Sequence, residues 1–258
     1  MKIKYKAGII EMTELCAGIY SMWLEAGAII EQALAGQFVA LYCEDASRML
    51  PRPISICELD RENGRLRLVF RVAGAGTEEF SRLAAGDTIE VMGPLGNGFS
   101  PEGEEPLLIG GGIGIPPMLE LAKELYQRSK KKSKVVLGYR DNTTFLADEF
   151  APYAEVYLAS EDGSVGTKGN VLDAIRQQGL SADVLYACGP TPMLRGVKAY
   201  AAEQKITAQI SLEERMACGI GACLACVCQS KETDAHTHVK NKRICKDGPV
   251  FYAEEVEL

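Results

Sequence analysis

The chain has 258 residues, of which 47% are hydrophobic and 24% are charged, and its formal net charge is −7. The length allows two domains, or two domains and a small appendage, and the negative charge argues against nucleic acid as a partner. The composition is that of an ordinary globular protein, with no apolar run long enough to cross a bilayer and no signal-peptide pattern. We therefore expect a cytoplasmic protein with no membrane partner.

Short strands are predicted throughout residues 1–100. Apolar residues alternate with polar ones, or cluster in β-rich runs, in the segments 2–5, 20–24, 37–42, 54–57, 66–70 and 88–91. Their even spacing predicts an antiparallel β-barrel, interrupted by one short helical pattern at 77–84.

Two motifs in this barrel segment could bind a nucleotide cofactor. The run Arg52-Pro53-Ile54-Ser55 offers a guanidinium for a pyrophosphate and a hydroxyl that can hydrogen-bond a flavin ring edge. Gly76 and Thr77 stand at the start of the short helix, where free N–H groups bind anions. Taken alone, the first motif is four residues of a strand and the second is a capped turn.

In residues 101–211 the pattern of predicted elements changes, because strands now alternate with longer helices. Strands are predicted at 107–109, 135–139, 155–158 and 184–187, and helices at 115–130, 170–178 and 191–203. This βαβ repetition predicts an α/β domain with a parallel sheet. Glycines and prolines at 93–98 and 101–103 are expected to form the linker from the barrel.

The first strand of the α/β segment runs into a glycine loop and then a helix that opens with proline. Its glycines, Gly110, Gly111, Gly112 and Gly114, would let a pyrophosphate approach the helix N-terminus. A second strand-to-helix turn, at Cys188, Gly189 and Pro190, falls at the same carboxyl edge of the sheet, where ligands of α/β proteins bind. Cys188 would lie near a nicotinamide or be a merely buried thiol.

The third segment, residues 212–258, is rich in cysteine and too short to build much core without a metal. Cys218, Cys223, Cys226 and Cys245 give the spacing C-x4-C-x2-C…C, which is the plant-type pattern of a 2Fe-2S cluster. Glycines at 219 and 221 would let the loop wrap the sulfides. The sequence therefore predicts an electron carrier.

A structural four-cysteine zinc site is the alternative interpretation. Zinc sites use two short-spaced pairs, whereas here three cysteines share one glycine-rich loop. Cys228 is left as a buried small hydrophobe rather than a ligand. The tail at 250–252 could pack on a partner or close the small module. The odd count of nine cysteines argues for a reducing compartment and against disulfides.

The motifs R-P-x-S, G-x-G-T, GGGIGIPPM and CGPTPM, in this order, resemble the ferredoxin-NADP reductase superfamily over residues 1–210. The cysteine-rich extension resembles the electron-transfer subunits of bacterial class 1B dihydroorotate dehydrogenases. The resemblance implies FAD in the barrel, NAD in the α/β domain and a 2Fe-2S cluster in the third segment. It also implies an FMN-containing catalytic subunit as partner, in a heterotetramer with two copies of each chain, acting in pyrimidine biosynthesis.

The resemblance assigns the site residues as follows: FAD is lined by Arg52, Pro53, Ile54, Ser55, Val69, Phe70 and Arg71, its phosphates are held by Gly76 and Thr77, and NAD is bound by Gly110, Gly111, Gly112, Gly114, Cys188, Gly189 and Pro190. Electrons would pass from FMN through the cluster and FAD to NAD+, with hydride moving directly between flavin and nicotinamide. Ser55 is the candidate catalytic residue, because its hydroxyl could tune the flavin N5.

Two rivals share this layout: the small subunit of an electron-bifurcating transhydrogenase, and a sulfhydrogenase diaphorase subunit. The first kind carries aspartate where Cys218 stands, and the second favours Cys-Gly-His-Cys at 223–226; this sequence follows neither. A rival of another class is a zinc-stapled flavoprotein adaptor without catalysis. Arg140 and Asp141 leave the choice between NADP and NAD open at the level of residues, and the resemblance favours NAD.

Overall fold

The computed structural model describes residues 3–234 and 238–258; Lys2, which begins the first predicted strand, lies outside them. The strands are β1 (Ile3–Cys16), β2 (Ile19–Glu25), β3 (Phe38–Tyr42), β4 (Arg52–Asp60), β5 (Arg65–Arg71), β6 (Thr88–Leu95), β7 (Pro106–Gly111), β8 (Ser133–Tyr139), β9 (Ala154–Ser160), β10 (Thr167–Lys168), β11 (Val184–Cys188), β12 (Thr207–Ser211), β13 (Val227–Gln229), β14 (Asn241–Arg243) and β15 (Val250–Tyr252). The helices are α1 (Ile29–Gln32), α2 (Ala75–Phe80), α3 (Pro116–Ser129), α4 (Val171–Gln177) and α5 (Thr191–Gln204), with 3-10 turns at Gly112–Gly114 and Ala147–Phe150.

The first six strands close into a barrel in the order β1-β2-β5-β4-β3-β6, and every pair is antiparallel. Alternate apolar side chains such as Leu24, Leu68 and Val91 fill the interior and are fully buried. The predicted antiparallel barrel is confirmed. Its first strand is much longer than the predicted 2–5 segment, and β6 continues through 93–95, which the sequence assigned to the linker.

The second sheet has the order β10-β9-β8-β7-β11-β12-β15, and its strands are parallel except for the last. Its central strands are buried on both faces, because α3 covers one face and α4 and α5 cover the other. The predicted α/β domain is confirmed. The strand β12 was not predicted, and the linker begins only after Leu95.

The third segment contributes a small two-stranded sheet, β13 with β14, and then returns to the large sheet. There β15 pairs antiparallel with β12, with Phe251 opposite Ile210. Val250 and Phe251 are 8% and 3% exposed. The tail at 250–252 therefore closes the edge of the α/β sheet, which neither of the alternatives from the sequence anticipated.

None of the helices in the described part of the chain combines the length and the apolar character that crossing a lipid bilayer requires.

Candidate functional site

The cysteines of the third segment lie on a loop that two glycines turn tightly. Gly219 and Gly221 have φ values of +67° and +84°, a region that glycine adopts without steric cost. The backbone N–H groups of Ile220 and Ala222 consequently donate to Sγ of Cys218, at 3.4 and 3.3 Å. The loop thus favours the thiolate, which is the form that binds metal.

Cys226 and Cys245 form a second pair of thiols. The backbone N–H of Ile244 donates to the carbonyl of Cys226 at 2.9 Å, and that of Cys245 donates to Sγ of Cys226 at 3.4 Å. The two cysteines are 2% and 0% exposed. The long polar excursion after Cys226 therefore returns the chain to the loop at Cys245.

Hydrogen bonds lower the pKa of one thiol in each pair. Partial burial raises the pKa of Cys218, but hydrogen bonds from the loop N–H groups and from Cys223 outweigh it and lower the pKa to about 6. A hydrogen bond from the Cys245 thiol lowers the pKa of Cys226 to about 6, and the same contact raises that of Cys245. One thiol of each pair therefore ionises near neutral pH.

The four thiols are arranged as two contacting pairs. Cys218 contacts Cys223, and Cys226 contacts Cys245. Within residues 3–234 and 238–258, no three His, Cys, Asp or Glu side chains converge so as to hold one metal ion. A structural zinc ion needs four ligands around one centre, whereas a 2Fe-2S cluster spreads four thiolates over two irons. Two pairs of thiols, close enough for Cys218 to act electrostatically on Cys245, fit the binuclear cluster.

Cys228 takes part in neither pair. It is half-buried rather than fully buried, and its thiol donates to the carbonyl of Lys242 on β14 at 3.6 Å. Burial raises the pKa of its thiol. The Cys228 side chain therefore contributes a hydrogen bond between the two strands of the small sheet in the third segment.

The cysteine loop rests directly on the barrel. A Cβ on Gly219 would lie 3.4 Å from Leu95 and 3.6 Å from Met92, both on β6. In the barrel Leu95 stands opposite Phe38, and Phe38 stands opposite Ser55. Leu95 and Phe38 are 0% and 3% exposed and pack against Cys226 and Cys245, so two strand-to-strand steps through buried apolar residues lead from the cysteine loop to half-buried Ser55.

Two of the candidate FAD motifs meet in space. Gly76, at the start of α2, lies so close to Arg52 that a Cβ on it would overlap the guanidinium, with Nη2 at 2.8 Å. The guanidinium also donates to the carbonyl of Arg48 at 3.3 Å and to that of Leu50. The fold thus holds a cation against the helix start, as an anionic pyrophosphate would require.

Other candidate FAD residues differ in what they present. The Thr77 hydroxyl accepts the N–H groups of Ala73 and Gly74 at 2.9 and 3.2 Å, so it shapes the turn itself. Phe70 points into the barrel, where its ring stacks on Tyr20 at 5.9 Å, so only its backbone is available to a ligand. The remaining positions are Pro53, Ile54 and Ser55, which are half-buried on β4, Val69, which is buried on β5, and Arg71, which is exposed at the end of β5.

The two candidate NAD loops touch each other at the carboxyl edge of the sheet. A Cβ on Gly114 would lie 2.5 Å from the backbone nitrogen of Gly189, and one on Gly111 would lie 2.5 Å from Sδ of Met193. Gly112 has a φ of +52°. Glycines are therefore required where the loop before α3 meets the turn before α5, which spans Cys188, Gly189 and Pro190.

Cys188 is 2% exposed, and burial raises the pKa of its thiol to about 12. Its side chain hydrogen-bonds Ser211, and the carboxyl of Glu213 acts on it electrostatically. Partial loss of solvent raises the pKa of Glu213, while Arg71 at the end of β5 lowers it.

Glu213 is exposed and lies near enough to Cys188 and Arg71 to interact with each electrostatically, and the sequence analysis missed it. Its position two residues after the end of β12, at the carboxyl edge of the sheet, is the signal that could have found it.

Three family models match the chain in succession. An oxidoreductase FAD-binding domain matches residues 10–99, and an oxidoreductase NAD-binding domain matches residues 108–199. The iron-sulfur cluster binding domain of dihydroorotate dehydrogenase B matches residues 213–257. These matches confirm the predicted cofactors, namely FAD, NAD and an iron-sulfur cluster.

Curated relatives are similar over almost the whole chain. A protein of Listeria monocytogenes serovar 1/2a is 44% identical over 254 residues, covering 97% of each chain, and one of Bacillus caldolyticus is 43% identical over 245 residues, covering 93% of each. Both are named dihydroorotate dehydrogenase B (NAD(+)), electron transfer subunit.

Among solved structures, an NADH-dependent reduced ferredoxin-NADP oxidoreductase is 31% identical with a TM-score of 0.86, covering 97% of this chain and 89% of that one. A ferredoxin NADP+ reductase of Neisseria gonorrhoeae, 15% identical with a TM-score of 0.66 over 82% of this chain and 94% of that one, shares the fold.

Proposed function

The chain belongs to the electron transfer subunits of dihydroorotate dehydrogenase B, and on this premise we propose a path by which it carries electrons from the FMN of a catalytic subunit to NAD+. The prediction of an NAD-linked oxidoreductase subunit is confirmed by the same matches. When bound, the 2Fe-2S cluster would pass electrons singly, and FAD would take up two of them together with a proton from solvent and deliver a hydride to NAD+. The chain itself supplies binding, orientation and exclusion of water.

The observation that carries this proposal is that the barrel is contacted from two sides. The cysteine loop touches it at Leu95, and the turn Gly112–Gly114 contacts it at β5. A carrier between a cluster and a nicotinamide must be within reach of both. We assign one cofactor to each segment: FAD to residues 1–100, NAD to 101–211 and the cluster to 212–258.

In this path the four cysteines of the two thiol pairs hold the cluster. Arg52, beside Gly76 and Thr77, neutralises the FAD pyrophosphate, supported by the close contact of Arg52 with Gly76. Ser55 donates a hydrogen bond to the flavin edge from a half-buried position on β4. The remaining assignments are Pro53, Ile54, Val69, Phe70 and Arg71 along the flavin, and Gly110, Gly111, Gly112, Gly114, Cys188, Gly189 and Pro190 around NAD.

The partner in this proposal is an FMN-containing catalytic subunit that oxidises dihydroorotate, and the complex contains two copies of each chain. The name of the relatives supports a partner, since an electron transfer subunit serves a catalytic one. Reduced thiolates are required to receive iron, which supports the cytoplasm as the location.

Iron and sulfide analysis of anaerobically purified protein tests the cluster assignment. Cys223→Ser should lose the cluster and its visible absorption while retaining FAD, because the barrel lies in another segment. Cys228→Ser is the matched control and should retain both. Absence of iron and acid-labile sulfide from the unaltered protein would contradict the proposal, and so would loss of FAD from Cys223→Ser with iron intact.

Stopped-flow absorption tests the NAD assignment independently. The isolated subunit should show bleaching of its flavin when NADH is added, with or without the cluster, since hydride passes directly between nicotinamide and flavin. A flavin that stays oxidised after NADH addition would defeat the proposed path and favour an adaptor without catalysis.

A further inference from the structure

Arg67 connects the barrel to the α/β domain from the middle of β5. It is 7% exposed, and its guanidinium donates to Ser21 at 2.8 Å and to Glu58 at 3.3 Å, both within the barrel. It also donates to both carboxylate oxygens of Glu149, through Nη2 at 3.1 Å and through Nη1 more closely. Glu149 lies in the 3-10 turn after β8, so one forked ion pair, buried at Arg67 and partly exposed at Glu149, spans two domains.

A second set of polar contacts crosses the same boundary. Lys123 on α3 donates to Glu58 on β4 at 2.8 Å. Glu120, also on α3, accepts the backbone N–H of Leu59 at 2.8 Å. The Glu58 carboxylate therefore accepts hydrogen bonds from one cation of each domain, Arg67 of the barrel and Lys123 of the α/β domain. Charges buried in this way are tolerated only when each is paired, which makes the contact geometry specific.

The strand that carries Arg67 leads directly to the candidate cofactor sites. Side chains two residues apart on a strand share a face, so Arg67, Val69 and Arg71 lie on the same face of β5. Val69 packs in one buried cluster with Ile115 and other residues around α3. The strand also contacts the Gly112–Gly114 turn. Fixing Arg67 therefore fixes the distance between β5 and the glycine loop.

We propose that Arg67, through its forked bond to Glu149, is a positioning residue that sets the alignment of flavin and nicotinamide for hydride transfer. Its guanidinium is bonded to Ser21, Glu58 and Glu149, so it acts through these contacts, and the inference rests on the proposed function. Hydride transfer requires a near-attack geometry, and a misplacement of about 1 Å costs about 100-fold in rate. Directional hydrogen bonds hold such a geometry better than apolar contacts, which slide.

The test uses the full chain loaded with FAD and cluster, and compares Arg67→Lys and Glu149→Gln with Arg65→Lys. Arg65 is a matched control, because it lies on the same strand but pairs at 2.6 Å with Asp60, a residue of the barrel domain itself. Stopped-flow traces give the limiting rate of flavin reduction and the NADH concentration at half-saturation. Absorption gives bound flavin per chain.

We expect Arg67→Lys and Glu149→Gln to lower the limiting rate about tenfold or more. Half-saturation should change less than about threefold and flavin content should stay full, while Arg65→Lys should match the unaltered protein. A merely structural role would lower flavin content or stability and leave the rate per bound flavin unchanged.

Unchanged rates per flavin in both variants would overturn the inference, and so would an equal loss in Arg65→Lys. If Arg67→Lys fails to fold, Glu149→Gln decides alone, because the Glu149 side chain is 41% exposed and Arg67 keeps Glu58. Failure of the unaltered protein to bleach with NADH would instead contradict the proposed function.

Discussion

The barrel makes two joins, and they differ in chemistry. Its join to the α/β domain combines apolar packing, as of Val69 on Ile115, with charged and directional bonds from Arg67, Lys123 and Glu120. Its join to the cysteine segment is mainly apolar, where Phe38 and Leu95 share a buried cluster with Cys226 and Cys245. Hydride transfer depends on orientation, whereas a single electron needs only closeness and exclusion of water.

The chemistry of each join matches what is transferred across it in the proposed path, namely hydride at the charged join and single electrons at the apolar one. At the charged join, loss of the Arg67–Glu149 bonds should affect the rate of hydride transfer more than stability, whereas residues at the apolar join should do the reverse. The following substitutions test this contrast, in order of decreasing effect on stability.

Phe38→Ala should cost about 3–5 kcal/mol of unfolding free energy, because it empties a fully enclosed position between the cysteine loop and β4. The rate at which NADH reduces each bound flavin should stay the same. Urea unfolding and stopped-flow absorption measure the two quantities. Phe38→Leu, which keeps most of the volume, should cost less than about 1.5 kcal/mol. A fall in the rate per flavin comparable to that in Arg67→Lys would erase the contrast.

Glu120→Gln should stabilise the protein at alkaline pH by up to about 3 kcal/mol. Burial raises the pKa of Glu120 to about 7, with Glu58 adding to the rise and Leu59 N–H, Lys123 and Arg61 opposing it. The folded state therefore binds the proton more tightly than the unfolded state, and stability declines as the pH rises from about 4.5 to 7.

Glutamine still accepts the Leu59 N–H but does not ionise. The advantage of Glu120→Gln should be absent below about pH 4.5 and complete above 7. Denaturation curves between pH 5 and 8 check this, with Glu203→Gln at an exposed position of α5 as a control for the loss of a surface charge. A constant difference across that range would show that ionisation of Glu120 plays no part.

Gly114→Ala should cost about 1–3 kcal/mol, because the new methyl group meets the backbone of Cys188 and Gly189. Its effect on the limiting rate of flavin reduction should be larger than this cost suggests, about tenfold, since it forces the two NAD loops apart. Gly64→Ala is the control: it lies in a barrel turn at a φ of +64° with open space around it. Equal rates in the two variants would contradict the assignment of the loop.

Asn97→Ala removes a directional bond at the rim of the apolar join. The Asn97 side chain donates to the carbonyl of Asp247 at 2.9 Å, and its loss should cost about 1 kcal/mol. Iron should leave the protein up to about fivefold faster in the presence of a chelator. Asn63→Ala, whose amide bonds Asp60 within a barrel turn, should not change iron release. The same acceleration in both would point to a general loss of stability.

Local patterns were enough to predict the antiparallel barrel, the parallel sheet and the glycine loops at the carboxyl edge of that sheet. Cysteine spacing, glycines and helix-opening prolines determine structure over only a few residues, so one sequence is enough to interpret them. The contact between Arg52 and Gly76 joins two such motifs, and their order alone did not show it.

What could not be predicted depends on distant partners. The alternation of β1 is broken by register shifts between Ile9 and Glu11 and between Glu14 and Cys16, and a shift of one residue exchanges the two faces. The strand β12 was hidden by Gln209, which is 2% exposed because its amide bonds the linker backbone at Ser100. Nothing in the local sequence indicated that Arg67 is buried, because a charged residue on a strand ordinarily lies on the solvent-exposed face.

The closing strand β15 has a consequence for synthesis on the ribosome. Until residues 250–252 emerge, Thr207–Ser211 is an unpaired sheet edge with free N–H and C=O groups, open to strands from neighbouring nascent chains. Because β15 follows Cys245, the last thiol is already available when this edge is covered. A chain cut short before Val250 would keep its four thiols and lose its protection against aggregation.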